Sequence, residues 1–290
     1  MTTATTALHC SIARPDTGSA VGNLMRLRLL DLLHERQPTL ATAARLSLLA
    51  VVPCLFAMLV DARTINDVNV WIKPSKFFVS FAVYYATLAW AFGYLPRSAQ
   101  DGIAGRFVIR GALAVGVYEM SWIVLAAANG VPSHFNDSTI GLIAYWLAGI
   151  GSLVLIAAIL VQGMMIARQR TVPIASALRW GIVAGSVIAF GATLITAGYL
   201  SMNGGHWVGG IASDAHGLPL VGWSRAGGDL RVAHFFALHA QQALPAAGLA
   251  AAALGRPDAR GAILLGAFAY AALVAFTFVQ ALRGVPFIGL

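Results

Sequence analysis

Seven apolar runs dominate this chain, and each is close to the length needed to cross a lipid bilayer. A helix crosses the hydrocarbon core, about 30 Å thick, with about 20 residues. Charged residues make up 10% of the 290 residues and lie mostly between the runs, whereas a soluble domain carries about a quarter. We therefore expect an all-α polytopic membrane protein with about seven transmembrane helices. The runs cover approximately 45–61, 76–95, 107–129, 139–167, 177–201, 232–254 and 261–283.

The basic residues are distributed unevenly between the two ends of these runs. Thirteen of the 19 Lys and Arg residues lie on the side of the N-terminus and six on the other side. Because cytoplasmic loops are rich in Lys and Arg, we predict a cytoplasmic N-terminus and an extracytoplasmic C-terminus in the lipid bilayer of a bacterial cytoplasmic (inner) membrane. No zinc-finger, P-loop or nucleic-acid-binding pattern occurs in the sequence, so nucleic acid is not an expected partner.

The sequence divides into two parts. Residues 1–40 are predicted to be a cytoplasmic tail, and residues 41–290 a seven-helix transmembrane domain with a long external loop at 202–231. Within the tail, residues 23–36 mix leucines with arginines. This pattern is typical of an amphipathic helix on the membrane surface, and equally of a cytoplasmic extension of the first run.

Glu119 is the only acidic residue deep inside an apolar run. An ionisable group at such a position normally faces a cavity or a partner, and it is a candidate functional residue for that reason. With a rise of about 1.5 Å per residue, Glu119 lies roughly 15 Å from the outer end of its run and His239 roughly 12 Å. We predict an outward-open polar pocket floored by Glu119, His239 and Gln242, with Glu119 and His239 as catalytic residues. The alternative is a hydrogen-bonded pair that only locks helices three and six together.

Five of the seven histidines fall in the outer loops or in the outer half of run six. Imidazole is the commonest protein ligand for transition metals, and the alternative is that each is an ordinary loop or interface histidine. Two of them are five residues apart, which separates them by roughly 140° around a helix, so other helices would have to complete a shared site. The candidate metal ligands are His134, His206, His216, His234 and His239, and the candidate cofactor-binding residues are His234, Gln242, Tyr84 and Tyr145.

Capping residues are predicted at two helix starts on the outer side. Asp229 precedes run six, and its carboxylate can accept hydrogen bonds from the free N–H groups of the first turn. Asp137 or Ser138 is placed in the same way before run four. In the long external loop, His206, Asp214 and His216 are candidates for metal ligands.

Three segments resemble those of a family of bacterial multi-pass inner-membrane proteins to which no activity is attached. They are WIKPSKFFVSFAVYYATLAW at 71–90, GVPSHFND at 130–137 and GWSRAGGDLRVAHFFALHAQQALP at 222–245. The resemblance runs from about residue 60 to 250. It implies a shared helical membrane fold and a cluster of motif residues on the outer side. The seven-span zinc hydrolases that include ceramidases and adiponectin receptors fit less well, because their paired histidines on the last span are absent.

Four functions are compatible with these features. The favoured hypothesis is an oxidoreductase or electron-transfer protein that holds haem b or a transition metal through the outer histidines. The second is a transporter or channel in which Glu119 and His239 relay protons or bind a cation. The third is a membrane hydrolase or transferase acting on a lipid or envelope precursor, and the fourth a sensor or assembly subunit. In each enzymatic or transport case we expect a small-molecule, ion or lipid substrate from the extracytoplasmic side.

Overall fold

The computed structural model describes residues 30–289, and most of them lie in seven long helices. A separate helical segment covers residues 30–36, and a single helical turn, Arg97–Gln100, lies between the second and third long helices. The long helices are α1 (Pro38–Val60), α2 (Ile72–Phe92), α3 (Ile103–Ala128), α4 (Thr139–Arg168), α5 (Ser176–Met202), α6 (Leu230–Ala253) and α7 (Arg260–Leu282).

Five of these helices are long and apolar enough to cross a membrane, which agrees with the predicted all-α polytopic class. They are α1, α3, α4, α5 and α7, with lengths between 23 and 30 residues. The other two helices, α2 and α6, are less apolar because they carry lysines, histidines and glutamines. Those polar residues belong to the candidate site described below.

The first predicted helix boundary was wrong, and the others lie within four residues of the observed ones. Helix α1 begins at Pro38 rather than at 45. The charge of Arg45 interrupts the apolar pattern, yet this side chain bonds the backbone oxygen of Leu30 at 2.9 Å and stays within the helix. The true start is set by Gln37, whose side chain accepts from Leu40 N, and by the proline in the first turn.

Short strands in the connecting loops were not predicted. Strands β1 (Thr64–Ile65) and β2 (Val68–Asn69) form an antiparallel hairpin whose two turn residues, Asn66 and Asp67, have positive φ angles. Such values at both central residues are those of a tight hairpin turn. Strands β3 (Trp207–Val208) and β4 (Gly228–Asp229) pair across the long loop and hold its two ends together.

The loops lie at two opposite ends of the bundle. At one end, the β1–β2 hairpin contacts the long loop, since Asp214 N donates to Asn66 O at 3.1 Å. At the other end, Arg36 donates to Trp90 O at 2.6 Å and lies over the Tyr94 ring at 4.8 Å. The helical segment 30–36 is therefore tied to the end of α2, while residues 23–29 of the predicted surface helix lie outside the described residues.

Helices α5 and α6 form the closest helix pair of the bundle. A Cβ atom placed on Gly181 would lie 2.5 Å from Leu244 O, and one on Gly185 would lie 2.6 Å from Ala240 O. Glycine at these positions lets the two backbones approach closely, as in other membrane helix pairs. Helix α6, which carries His234 and His239, is thereby fixed in the bundle.

Candidate ionisable site at the outer end of the bundle

Lys73, on the first turn of α2, lies among charged groups from several elements. Its charge interacts with Glu119 of α3, with Asp214 of the long loop and with Arg231 of α6. Its ammonium group is 3.2 Å from His134 Nδ1 and 5.9 Å from the centre of the Phe77 ring. Lys73 thus connects the first turn of α2 to the loop 130–138.

His134 accepts this hydrogen bond in its neutral form. A lysine ammonium group has donors only, so the Nδ1 atom of His134 must be the acceptor. Burial, and then the neighbouring charge of Lys73, lower the pKa of His134 to about 3. Ser133 Oγ lies 3.2 Å from the same nitrogen, and the Tyr145 ring packs edge-on against the imidazole at 5.8 Å.

Glu119 is the most unusual group of the site. It is 5% exposed, and its Oε1 atom faces α4, 3.8 Å from the position of a Cβ on Gly151. Within residues 30–289, no group donates a hydrogen bond to this carboxylate, and no cation lies within 4.0 Å of it. The charged group that interacts electrostatically with this carboxylate is Lys73. A carboxylate of this kind is costly in a low-dielectric interior, and it gains by taking a proton or a ligand.

Arg231, on the first turn of α6, is held by two carboxylates. It donates to Asp229 through Nε and Nη2, at 3.0 and 2.6 Å, and to Asp214 at 2.8 Å. Asp229 is 1% exposed, and it also accepts from Ser224 N at 2.8 Å and from Arg231 N at 3.0 Å. The predicted helix cap is therefore confirmed, and the same carboxylate has a second role as the counter-charge of a half-buried arginine.

Asp214 joins this ion pair to His206. The Nε2 atom of His206 donates to Asp214 Oδ1 at 3.2 Å, and its ring stacks on Trp207 with the centroids 3.7 Å apart. Burial alone would raise the pKa of Asp214, but the hydrogen bond from His206 and the charge of Arg231 outweigh it and lower that pKa. Asp214 and His206 are thus structural partners in the long loop.

Two basic side chains fasten the long loop over the ends of α2 and α6. Lys76 donates to Val221 O at 3.0 Å, and Arg231 donates to Gly222 O at 2.7 Å. The charge of Lys76 also interacts with Arg231, Asp214 and Asp229. We call the six linked groups the outer charged cluster. They are Lys73, Lys76, Glu119, Asp214, Asp229 and Arg231.

His239 lies in a second, uncharged polar group. Its Nδ1 atom donates to Gln242 Oε1 at 3.2 Å, and Gln242 Nε2 donates to Thr87 Oγ1 of α2 at 3.1 Å. The Phe235 ring packs on the imidazole with the centroids 4.0 Å apart. His234 lies 3.4 Å from Thr196 Oγ1 of α5. The predicted association of His239 with Gln242 is therefore present, but Glu119 is not part of it.

The predicted pocket between helices three and six stays a prediction. Helix α3 packs against α2 and α4, whereas α6 packs against α5 and α7. Two clefts of about 390 and 280 Å³ lie along α1, lined by residues such as Leu46 and Cys54, and neither is lined by Glu119 or His239.

The five candidate metal ligands do not share one site. His134 belongs to the Lys73 group, His206 to the long loop, and His234 and His239 to separate polar contacts of α6. His216 is exposed on the long loop. In the part of the chain that the structure describes, no three His, Cys, Asp or Glu side chains converge on a possible metal position.

The tyrosines predicted to bind a cofactor use their hydroxyl groups between helices. Tyr84 donates to Leu155 O of α4 at 2.9 Å, and the Tyr145 hydroxyl bonds Ser201 Oγ of α5. Each hydroxyl is thus occupied by a helix–helix contact. The predicted cofactor role of these residues stays a prediction.

The lysines of the outer charged cluster were missed as site residues. A signal was present in the sequence, because Lys73 lies in the first turn of a helix and Lys76 directly after it, near an end where the helix dipole disfavours cations. Helix α2 also lacks a side-chain hydrogen bond at its N-cap, Trp71. Two cations near a helix N-terminus therefore indicate that these side chains have a tertiary or functional role rather than a local one in helix stability.

The fold and the site together define a multi-pass helical bundle of membrane type, with an ionisable cluster at one end. No protein-family model, curated protein or solved structure matches the chain. The resemblance noted from the three sequence segments therefore stays a prediction.

We expect Asp214→Asn to reduce the acid sensitivity of the folded protein. Because the pKa of Asp214 is lowered in the folded state, its ionised form contributes stability above the ordinary aspartate value of about 4. This contribution is lost as the pH falls through the lowered pKa. Thermal unfolding in detergent between about pH 6 and about pH 3 should therefore fall less steeply in the variant. Asp137→Asn, at an exposed position of the loop 130–138, is the control, and an unchanged profile for Asp214→Asn would contradict the assignment.

Proposed function

We propose that the chain is a proton-coupled membrane transporter with seven spans, a cytoplasmic N-terminus and an extracytoplasmic C-terminus, in a bacterial cytoplasmic membrane. The seven-span topology is supported by the alternation of seven long helices, whose connecting loops gather at two ends. The excess of Lys and Arg on the side of the N-terminus supports the orientation. Helices α2 and α6 would cross the membrane with their polar groups directed into the bundle.

One observation carries the transport proposal. Glu119 is a buried carboxylate in the middle of a membrane-type helix, and no group in residues 30–289 donates a hydrogen bond to it. It interacts electrostatically with Lys73. Buried acidic groups in membrane spans are rare and commonly belong to proton relays or ion pathways. A merely structural glutamate would be expected to hold direct hydrogen bonds.

A route for the proton from the outer side follows from the same contacts. His134, in the loop 130–138, bonds the ammonium group of Lys73, which interacts in turn with Glu119. Thr87, Gln242 and His239 form a second hydrogen-bonded chain between α2 and α6. We propose that Glu119 receives the proton from the outer side and that the second chain lines the path further in.

Infrared difference spectroscopy tests the proton-binding step. In the reconstituted wild-type protein, we expect a carboxylic acid carbonyl band that appears as the external pH falls and is missing in Glu119→Gln. The matched control is Asp258→Asn, the same chemical change on the loop before α7. A pH-dependent carboxyl band that survives in Glu119→Gln would assign the proton to another residue and reject the proposal.

Proton flux in liposomes tests the transport step. A potassium diffusion potential set with valinomycin should drive proton movement, read by an internal pH dye, in liposomes containing wild type and Asp258→Asn. Glu119→Gln should lower the flux to the level of empty liposomes, since it removes the titratable group while keeping the shape of the side chain. Full flux in Glu119→Gln would remove Glu119 from the mechanism.

The other two predicted activities stay predictions with separate tests. A haem or metal cofactor would give a Soret band or a stoichiometric metal content in the purified protein. A hydrolase or transferase would use a base such as His134, whose Nδ1 atom is 3.2 Å from Ser133 Oγ. Ser133 is buried, however, and this geometry favours a structural hydrogen bond over a nucleophile.

A further inference from the structure

The larger of the two clefts along α1 lies between α1 and α3, at the end of the bundle where both helices begin. Its volume is about 390 Å³, and its lining residues carry no charge. Helix α1 packs along α2 and meets α3 at few positions, so a groove remains between α1 and α3. The lining residues are Pro38, Thr39, Thr42, Ala43, Leu46 and Leu113. Thr39, Thr42 and Leu46 are exposed, so the cleft opens on the surface of the bundle.

The side of α3 that borders this cleft also carries two arginines. Arg106, Arg110 and Leu113 lie within about 60° of one another around the helix axis, because successive residues are about 100° apart. Arg110 is one turn nearer than Leu113 to the end of the bundle, and Arg106 is one turn nearer again. Both arginines are exposed. Two cations therefore stand on the helix face that borders the cleft, between Leu113 and the end of the bundle.

The neighbouring faces of α3 are occupied by other helices. A Cβ atom on Gly111 would lie 3.0 Å from Val154 of α4, and one on Gly116 would meet the hydroxyl group of Tyr85 of α2. The two arginines lie on the arc of α3 between these two contacts. This arc is the part of the helix surface that is left open to the surrounding lipid.

Neither arginine has a counter-charge among the residues that the structure describes. The ion pairs within residues 30–289 use Asp61, Asp214 and Asp229, which lie at the opposite end of the bundle. Within the same residues, Arg106 and Arg110 donate no hydrogen bond. An arginine can lay its stem along an apolar surface and keep its guanidinium group at the level of the headgroups. There the guanidinium group can bind phosphate oxygens through paired hydrogen bonds.

We infer that the cleft between α1 and α3 binds an anionic phospholipid of the surrounding membrane. One acyl chain lies in the cleft, and the phosphate group is bound by Arg106 and Arg110. The hydroxyl groups of Thr39 and Thr42, at the start of α1, donate to the phosphate or ester oxygens. Paired cations beside an apolar cleft fit a ligand that has an apolar chain and an anionic head, and basic sites between membrane helices bind such lipids. The inference is independent of the transport proposal, because it uses neither Glu119 nor Lys73.

Native mass spectrometry of the full-length protein in detergent tests the headgroup contacts. Phosphatidylglycerol and phosphatidylcholine with the same acyl chains are added in equal amounts, and wild type should retain phosphatidylglycerol in preference. Arg106→Gln and Arg110→Gln should each weaken its binding by about fivefold, and the double variant by about 25-fold. Arg256→Gln is the matched control, because Arg256 is an exposed arginine in the loop between α6 and α7, at the same end of the bundle. It should match wild type.

A second pair of variants tests the cleft without changing any charge. Thr42→Phe places a ring where the acyl chain would lie and should weaken binding by about tenfold, the effect of displacing about two methylene groups. Leu48→Phe is the control, since Leu48 is 59% exposed on a different side of α1. Thermal unfolding of each variant checks that it is folded. Glycerol phosphate, which has the headgroup phosphate but no acyl chain, should not displace the lipid.

Several results would overturn the inference and leave the proposed function untouched. Equal binding of the two phospholipids by wild type would remove the arginines as the headgroup site. Wild-type binding of phosphatidylglycerol by the double arginine variant or by Thr42→Phe would place the lipid elsewhere. Displacement by glycerol phosphate would show a site for free phosphate instead. If no phospholipid is retained, the cleft has another occupant, such as residues 1–29, which lie outside the described residues.

Discussion

Replacing Arg231 with Met is expected to destabilise the protein by about 3 to 5 kcal/mol, because it leaves buried carboxylates without their counter-charge. Asp229 is 1% exposed and receives two hydrogen bonds from the guanidinium group, while Asp214 receives another. Met fills a similar volume, so the loss of charge is separated from the loss of packing. Equilibrium unfolding of the purified protein in mixed micelles would measure the change in free energy.

Two further variants distinguish a charge effect from general damage to the loop. Arg231→Met combined with Asp229→Asn should recover part of the loss, since the amide needs no counter-charge. Arg225→Met is the control, because among the described residues the Arg225 side chain makes a single, long hydrogen bond, to Gly289 O at 3.4 Å. A loss below about 1 kcal/mol for Arg231→Met would be typical of an exposed pair and would contradict the assignment.

Replacing Gly185 with Ala is expected to destabilise the protein by about 1 to 3 kcal/mol, the usual cost of overpacking. The new Cβ atom would lie 2.6 Å from Ala240 O and 3.2 Å from the Ala240 carbonyl carbon. These are backbone atoms of α6, so they cannot rotate away as a side chain would. Adding Gly181→Ala, whose Cβ would lie 2.5 Å from Leu244 O, should increase the loss. Thermal unfolding in detergent would measure both.

The same helix supplies matched controls for this prediction. A Cβ on Gly191 or on Gly198 would meet nothing within 4 Å. Alanine there should be neutral or stabilising, because alanine favours a helix over glycine by about 1 kcal/mol. Equal destabilisation by Gly185→Ala and Gly191→Ala would show that the α5–α6 contact is not the cause.

The charged residues of the site could be found in part from the sequence. Glu119 was identified because an acidic residue inside an apolar run is costly and therefore rare. Its predicted partner, His239, bonds Gln242 in the structure, and the association of these two residues with Glu119 stays a prediction, since depth along a helix does not say which side chains meet. The interaction of Lys73 with Glu119 could not be predicted from the sequence, because it depends on the packing of α2 beside α3.

The sequence by itself determined the seven helices, because apolar runs of this length leave few alternatives in a lipid environment. It also determined the cap at Asp229, since capping depends on residues adjacent in the chain. Only the tertiary structure decided that Lys73, Lys76 and Arg231 meet Glu119, Asp214 and Asp229 at one end of the bundle. These residues come from three helices and a loop separated by up to 158 positions in the chain, and their proximity depends on helix packing and loop closure. Local sequence patterns carry no information about either.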